Sequence, residues 1–218
     1  MIRLHHCPGT RSMRSLWLLY ELGLDFDLRV YPFDKSLREE AYRRLNPTGR
    51  VPSLEIDGAV LIESGAIAEY LCERCPGLGL GRDPGDVERI GWLNWLHFAE
   101  TISQHCAALT QQHVALYEDH MRSPIVMQLE VKRLAKTLST VEAALKGDYL
   151  LSRFSAADIA VGQAVYMAKH FVRLDDLPRV AAWYARLAAR DAFRRALPDG
   201  PGLYAQDFYP PWDVSPRS

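Results

Sequence analysis

The run from Asn46 to Leu71, NPTGRVPSLEIDGAVLIESGAIAEYL, limits the possible folds more tightly than any other part of the chain. Two short apolar runs, Ser53 to Ile56 and Val60 to Ile62, flank an Asp57-Gly58 pair, the turn chemistry of a tight β-hairpin. Pro52, at the mouth of the first run, has no N–H to give, so the ladder cannot extend backwards through it. Directly after the hairpin, Ser64 opens an apolar helix predicted to reach Cys75. An antiparallel edge followed at once by a helix is therefore built into this stretch.

The residues before it alternate. Ile2 to His6 reads as a strand, broken by Cys7-Pro8-Gly9-Thr10. Ser12 to Gly23 reads as a helix, with Met13, Leu16, Trp17 and Tyr20 at helical spacing and Gly23 as the stop. Phe26 to Val30 reads as a second strand, and Ser36 to Leu45 as a short polar helix closed by Asn46-Pro47. The order β-α-β-α-β-β-α predicts a thioredoxin-like α/β unit with parallel strands and an antiparallel edge.

Pro76 to Asp86, PGLGLGRDPGD, reads as a linker, and every strong signal beyond it is helical. Trp92, Leu96, Ala99, Ile102, Cys106 and Leu109 form one apolar stripe. Ser123 to Leu145 is amphipathic, with Pro124 in its first turn. Ser155 to Asp158 resembles a capping box opening a helix to about His170, and Pro178 to Arg190 makes another. Three units follow: an α/β thioredoxin-like N-terminal domain at 1–75, a linker at 76–86, and an all-α C-terminal helical domain with its tail at 87–218.

With 26 basic and 27 acidic residues, no broad field points to nucleic acid or to a membrane surface. No apolar run approaches the roughly 20 residues of a spanning helix, and the N-terminus does not read as a signal peptide. Four cysteines in 218 residues suggest no disulfide framework, which fits a reducing cytoplasm. Function must then come from a local site.

Four segments together, CPGTRSMRSLWLLYELGL, NPTGRVPSLEIDG, LIESGAIAEYL and FSAADIAVG, resemble the soluble glutathione S-transferase superfamily in order and approximate spacing. The resemblance covers nearly the whole chain. It implies a glutathione co-substrate, a homodimer, no metal, and a cis Val51–Pro52 bond whose strand edge pairs with the cysteinyl unit. Alone, Val51-Pro52 would be an ordinary strand start. It also implies that Glu63 and Ser64 receive the γ-glutamyl end, Ser64 at a helix N-terminus suited to a carboxylate. Arg50 matches a basic residue near the glycyl carboxylate.

The reactive group is less settled. Matched to serine-type members, Thr10 falls on the catalytic serine position; threonine departs from the pattern but carries the same hydroxyl. Ser12 is the alternative, or only a helix cap. Cys7, with Pro8 after it and Arg14 downstream, resembles cysteine-type members, in which a thiolate forms a mixed disulfide with glutathione. Cys7 is equally readable as a small apolar residue ending a strand.

Other signals carry less. Cys72 and Cys75 have redox spacing but sit at a helix C-terminus, where the dipole disfavours a thiolate. His5 and His6 are adjacent in a strand and so face opposite ways. Phe98, Thr101 and His105 are candidates for an electrophile pocket or a subunit face, and Phe208, Tyr209 and Trp212 for its roof. Three functions are in view. The first is a detoxifying transferase joining glutathione to a hydrophobic electrophile through Thr10. The others are a thiol transferase using Cys7 and a binding module without chemistry.

Overall fold

A computed structural model of the chain describes residues 1–200 and 202–210. The N-terminal part is a four-stranded mixed sheet in the order β2-β1-β3-β4. Strand β1 (Ile2–His6) lies inside, parallel to β2 (Asp27–Val30) and antiparallel to β3 (Ser53–Ile56). Strand β4 (Ala59–Leu61) completes the hairpin at the edge. Leu4 sits opposite Leu28 on one side and Leu54 on the other, and both Leu4 and Leu54 are fully buried. At the hairpin tip Asp57 and Gly58 have φ of 52° and 81°, the paired positive values that a tight turn between twisted strands requires.

Helix α1 (Ser12–Glu21) lies against β1 and α3 (Ser64–Arg74), burying Met13, Trp17 and Leu19. The polar helix expected over Ser36 to Leu45 is instead a 3-10 turn, Ser36–Arg38, and a four-residue helix α2, Glu40–Arg43. Glu39 between them is extended, at φ −65° and ψ 148°. The segment has no apolar stripe to bury, and so short a helix has little stability of its own. Only Tyr42 turns inward.

The second part is helical: α4 (Arg89–Thr110), α5 (Pro124–Ala144), α6 (Ala156–Ala168), α7 (Pro178–Ala188) and α8 (Asp191–Ala196). All six residues of the expected α4 stripe are buried. Ser123 caps α5, accepting from Val126 N at 3.4 Å, with Pro124 at the first position. Every residue of α6 is buried, so this helix is the axis of the domain. Its capping box is formed: Asp158 Oδ2 accepts from Ser155 N at 2.9 Å, and Ser155 Oγ from Ala157 N at 3.3 Å. Asp158 Oδ1 also accepts from Leu150 N at 2.9 Å and Trp183 Nε1 at 3.0 Å, tying α7 and the preceding loop to α6.

One hydrophobic core runs through both parts. A Cβ added at Gly162 in α6 would lie 3.3 Å from the Trp17 ring and 2.6 Å from Leu187 Cδ1, so a larger residue would part α6 from α1 and α7. The segment expected as a linker is firmly held. Buried Arg82 donates to Glu88 and to the carbonyls of Gly79 and Gly81, and Leu80 O accepts from Trp92 Nε1 and Ala156 N.

Two elements were not expected. Helix α8 places Phe193 edge-on to Trp17 at 4.9 Å, and a π-helical turn, Gln111–Ala115, ends α4. In the tail, Tyr204 is buried against Phe171, Phe208 stacks on Phe171, and Tyr209 donates to Lys169 O at 2.8 Å. Trp212 lies outside the described residues. Among the described residues no helix is long and apolar enough to cross a membrane.

Candidate active site

A cleft of about 410 Å³ opens where β3, the start of α3, the start of α1 and the middle of α4 converge. Its walls include all five residues expected to bind glutathione, namely Arg50, Val51, Pro52, Glu63 and Ser64. Thr48, Ile62, Arg11 and Glu100 complete the lining.

The loop carrying the first wall is pinned from behind. Val51–Pro52 is cis. Arg50 O accepts from Asn46 Nδ2 at 2.7 Å and from the Tyr42 hydroxyl at 2.7 Å. Asn46 Oδ1 in turn accepts from Thr48 N at 3.1 Å and from the Thr48 hydroxyl at 2.7 Å. These bonds hold the turn from Asn46 to Pro52 in one shape, so the Val51 edge is preset rather than formed on binding. The NPTG turn was the available signal for Asn46, since asparagine favours bonding the backbone two residues on.

On the second wall, Glu63 occupies the cap position of α3 without capping it, and Ser64 is the first helical residue. The Ser64 hydroxyl turns inward and accepts from Arg14 Nη1 at 3.1 Å. Arg14 is 3% exposed and also donates to Ser103 Oγ at 2.8 Å, Gln163 Oε1 at 3.2 Å and Glu100. A buried guanidinium with its fork filled by acceptors is a rigid post. It ties α1, α3, α4 and α6 together directly beneath the cleft.

Glu100 takes Arg11 on its other oxygen, at 2.6 Å. Burial works against ionising Glu100, but Arg14 and Arg11 outweigh it and hold the carboxyl below the ordinary range. Two guanidiniums on one carboxylate leave a surplus positive charge at the start of α1. None of Arg11, Glu100, Ser103 and Gln163 was picked out from sequence. They lie far apart in the chain, and no local pattern joins them.

Thr10, Ser12 and Cys7 lie together between β1 and α1. Thr10 is half-buried, and its hydroxyl donates to Cys7 O at 2.7 Å. Gln163 Nε2 donates to Thr10 O at 3.3 Å, linking this turn to the Arg14 post. Ser12 is fully buried; its Oγ accepts from Cys7 N at 3.0 Å and lies 2.8 Å from both Thr10 Oγ1 and His6 Nδ1. Cys7 is 1% exposed, and burial, with a smaller contribution from Asp34, pushes its thiol up to about 11. Leu203 of the tail packs over Gly9 in the same turn, 3.3 Å from where a Cβ would stand.

Neither Thr10, Ser12 and Cys7 nor the three electrophile-pocket candidates are among the residues that line the cleft. Phe98 stands edge-on to Trp95 at 5.2 Å, Thr101 is exposed, and His105 Nδ1 is 2.6 Å from Glu130 on α5. The α4 residue that reaches the cleft is Glu100, one step around the helix from Thr101. Cys72 is buried with its thiol pushed up to about 12, first by burial and then by Cys75. Among the described residues no group of three or more His, Cys, Asp or Glu side chains could hold a metal ion.

The glutathione S-transferase N-terminal domain model matches residues 9–74, and the C-terminal domain model matches 115–186. A maleylacetoacetate isomerase of Pseudomonas aeruginosa is 34% identical over 198 residues, covering 87% of this chain and 92% of that one. Glutathione S-transferase GstA of Escherichia coli O157:H7 is 29% identical, covering 90% and 97%. A theta class glutathione S-transferase from Xanthomonas axonopodis pv. citri, solved with glutathione bound, superposes with a TM-score of 0.80. It is 27% identical, with 91% of this chain and 98% of that one covered. Sheet order, helical domain and matched sequence agree, and the chain belongs to the glutathione S-transferase family.

Proposed function

We propose that this chain binds glutathione in the cleft and adds its thiolate to a hydrophobic electrophile, with Thr10 as the hydroxyl facing the sulfur. The observation that carries this reading is the cleft itself, which joins a preset strand edge at Val51 to a serine at a helix start. In this reading the cysteinyl backbone pairs with Val51 and the γ-glutamyl carboxylate meets Ser64 and the first N–H groups of α3. Glu63 takes the ammonium group, and Arg50 the glycyl carboxylate.

A free thiol has a pKa of about 8.5, and lowering it by two units requires about 2.7 kcal/mol of preferential thiolate stabilisation. One hydroxyl donor, the N-terminus of α1 and the surplus charge of the Arg11–Glu100–Arg14 trio supply interactions of that order. Cys7 is a poor rival because its buried thiol stays protonated at neutral pH. A second reading is favoured by the isomerase relative. In that reading the bound thiolate adds to a double bond of the substrate and then leaves, changing only the geometry of that bond.

The protein is proposed to act in the cytoplasm, in detoxification, as a homodimer. Ile90, Ile125, Val126 and Leu129, on α4 and α5, are exposed apolar residues available to a second copy, as are Val60, Ile62 and Tyr70. Light scattering is expected to give twice the chain mass of 24.7 kDa; a monomer rejects the dimer. The activity is tested with an aryl halide and a glutathione matrix. Retention on the matrix is expected for the wild type, Thr10→Val and Cys7→Ser. Conjugation is expected to fall about 100-fold in Thr10→Val alone, within the range seen on removing one electrostatic donor. A Thr10→Val enzyme with full conjugation rejects the assignment.

A further inference from the structure

Thr10 is the outer end of a buried row of polar groups. His6 Nδ1 lies 2.8 Å from Ser12 Oγ, and Ser12 Oγ lies 2.8 Å from Thr10 Oγ1. His6 and Ser12 are 4% and 0% exposed, and neither lines the cleft. We propose that His6 and Ser12 are positioning residues that make Thr10 an obligatory hydrogen-bond donor: His6 Nδ1–H donates to Ser12, Ser12 donates to Thr10, and the Thr10 proton is turned outward to the glutathione sulfur. This deepens the proposed function and rests on its assignment of Thr10.

A hydroxyl offers one proton and two lone pairs. Ser12 Oγ already accepts from Cys7 N at 3.0 Å. Burial lowers the His6 pKa to about 4, so at neutral pH its ring carries a single N–H. With that hydrogen on Nδ1, both Ser12 lone pairs are filled and the serine proton must leave toward another acceptor. Thr10 Oγ1 at 2.8 Å is nearer than Cys7 O at 3.2 Å. Thr10 Oγ1 also accepts from Ser12 N at 3.3 Å, so its lone pairs are filled as well and it can only donate.

In the free protein that proton rests on Cys7 O at 2.7 Å. When sulfur arrives the hydroxyl rotates to it, and Cys7 O keeps the Thr10 N–H at 3.3 Å. Each donor in such a chain is strengthened by the bond it receives. The ionisation balances simply: the glutathione S–H proton goes to bulk water, Thr10 keeps its own, and no heavy-atom bond changes. The opposite tautomer reverses the direction. A bare Nδ1 would draw in the Ser12 proton and open a Ser12 lone pair 2.8 Å from Thr10 Oγ1, giving the Thr10 proton a second inward acceptor beside Cys7 O and drawing it away from the sulfur.

The first test is ¹⁵N NMR of the histidine rings in the ligand-free wild type, with the His6 signals identified by their loss in His6→Asn. Protonation of Nδ1 is expected, and a ring protonated on Nε2 overturns the relay. This readout needs no glutathione, so it stands apart from the function assigned to Thr10. The second test is the thiol pKa of bound glutathione. Ser12→Ala and His6→Leu are each expected to raise it by about one unit and lower kcat about tenfold, equivalent to one modest hydrogen bond. KM for glutathione should stay within about threefold, because neither residue reaches the cleft. His6→Asn, whose amide N–H can occupy the Nδ1 position, is expected to restore both values. A Ser12→Ala enzyme with unchanged thiol pKa, or a His6→Asn no better than His6→Leu, refutes the relay. If Thr10→Val leaves the bound thiol unmoved, the role of Thr10 fails and the relay's purpose with it, whatever the tautomer.

Discussion

Cys7 and Thr10 stand three residues apart on one turn, but their surroundings differ. The Cys7 thiol is buried and raised to about 11, whereas Thr10 is half-buried, its hydroxyl donating to Cys7 O at 2.7 Å. Cys7→Ser is therefore expected to keep conjugation within about twofold, and Cys7 should alkylate far more slowly than free cysteine at pH 7.5. Rapid alkylation of Cys7 with loss of activity would favour the mixed-disulfide reading. Asn46 presents a different case, since it acts on the ligand only through the loop. Removing it leaves Arg50 O, Ser53 Oγ and two Thr48 donors with fewer partners. Asn46→Ala is expected to cost about 2 kcal/mol of stability and to raise KM for glutathione more than it lowers kcat. Unchanged KM would show that the loop keeps its shape without it. Thr10, Ser12 and Cys7 stand out in the sequence because their hydroxyl and thiol chemistry sits in one local motif, and the structure places all three on one turn. The pairing of Arg11 with Glu100 has no such local signal, because 89 residues separate them and only the tertiary fold brings their side chains together.

At the scale of elements, the best-read features were those whose signal is local and redundant. The Asp57-Gly58 turn and the Ser155–Asp158 capping box join turn or cap chemistry to apolar runs, and the α4 stripe repeats six apolar residues at helical spacing. The split of Ser36 to Leu45 was missed because a run without an apolar face has no periodicity to read. Helix α8 was missed for a related reason. Six residues are too short for a pattern, and it is held by Phe193 against Trp17 rather than by its own propensity. Asp158 is the most exacting position in these elements. Burial pushes its carboxyl upward in pKa, and the donors from Leu150, Trp183 and Ser155 oppose that. Asp158→Ala would leave those donors unsatisfied in the core. It is expected to lower unfolding stability by about 3 kcal/mol in urea denaturation. A loss under about 1 kcal/mol would mean that the loop before α6 rearranges to recover them.

For the whole molecule, the shared core makes the two parts a mechanical unit, with α6 packed on both α1 and α7. Acid should unfold that unit from within. Burial lowers both His6 and His113 to about 4, against 6.5 for an exposed histidine. Between those values the unfolded chain binds more protons than the folded one, so stability is full above about pH 6.5 and declines toward pH 4. Urea midpoints at pH 7.5 and pH 5 should show the fall, and His6→Asn should lessen it; a flat profile would contradict the desolvation of the buried His6 ring and the half-buried His113 ring. The proposed catalysis requires that the cleft turn a thiol into a thiolate. The direct measurement is the ultraviolet titration of glutathione bound to the wild type, Thr10→Val and Cys7→Ser. The bound thiol is expected to ionise well below the free value of about 8.5 in the wild type and Cys7→Ser, and to return toward it in Thr10→Val. Glutathione that binds the wild type yet titrates as it does in free solution would contradict the account.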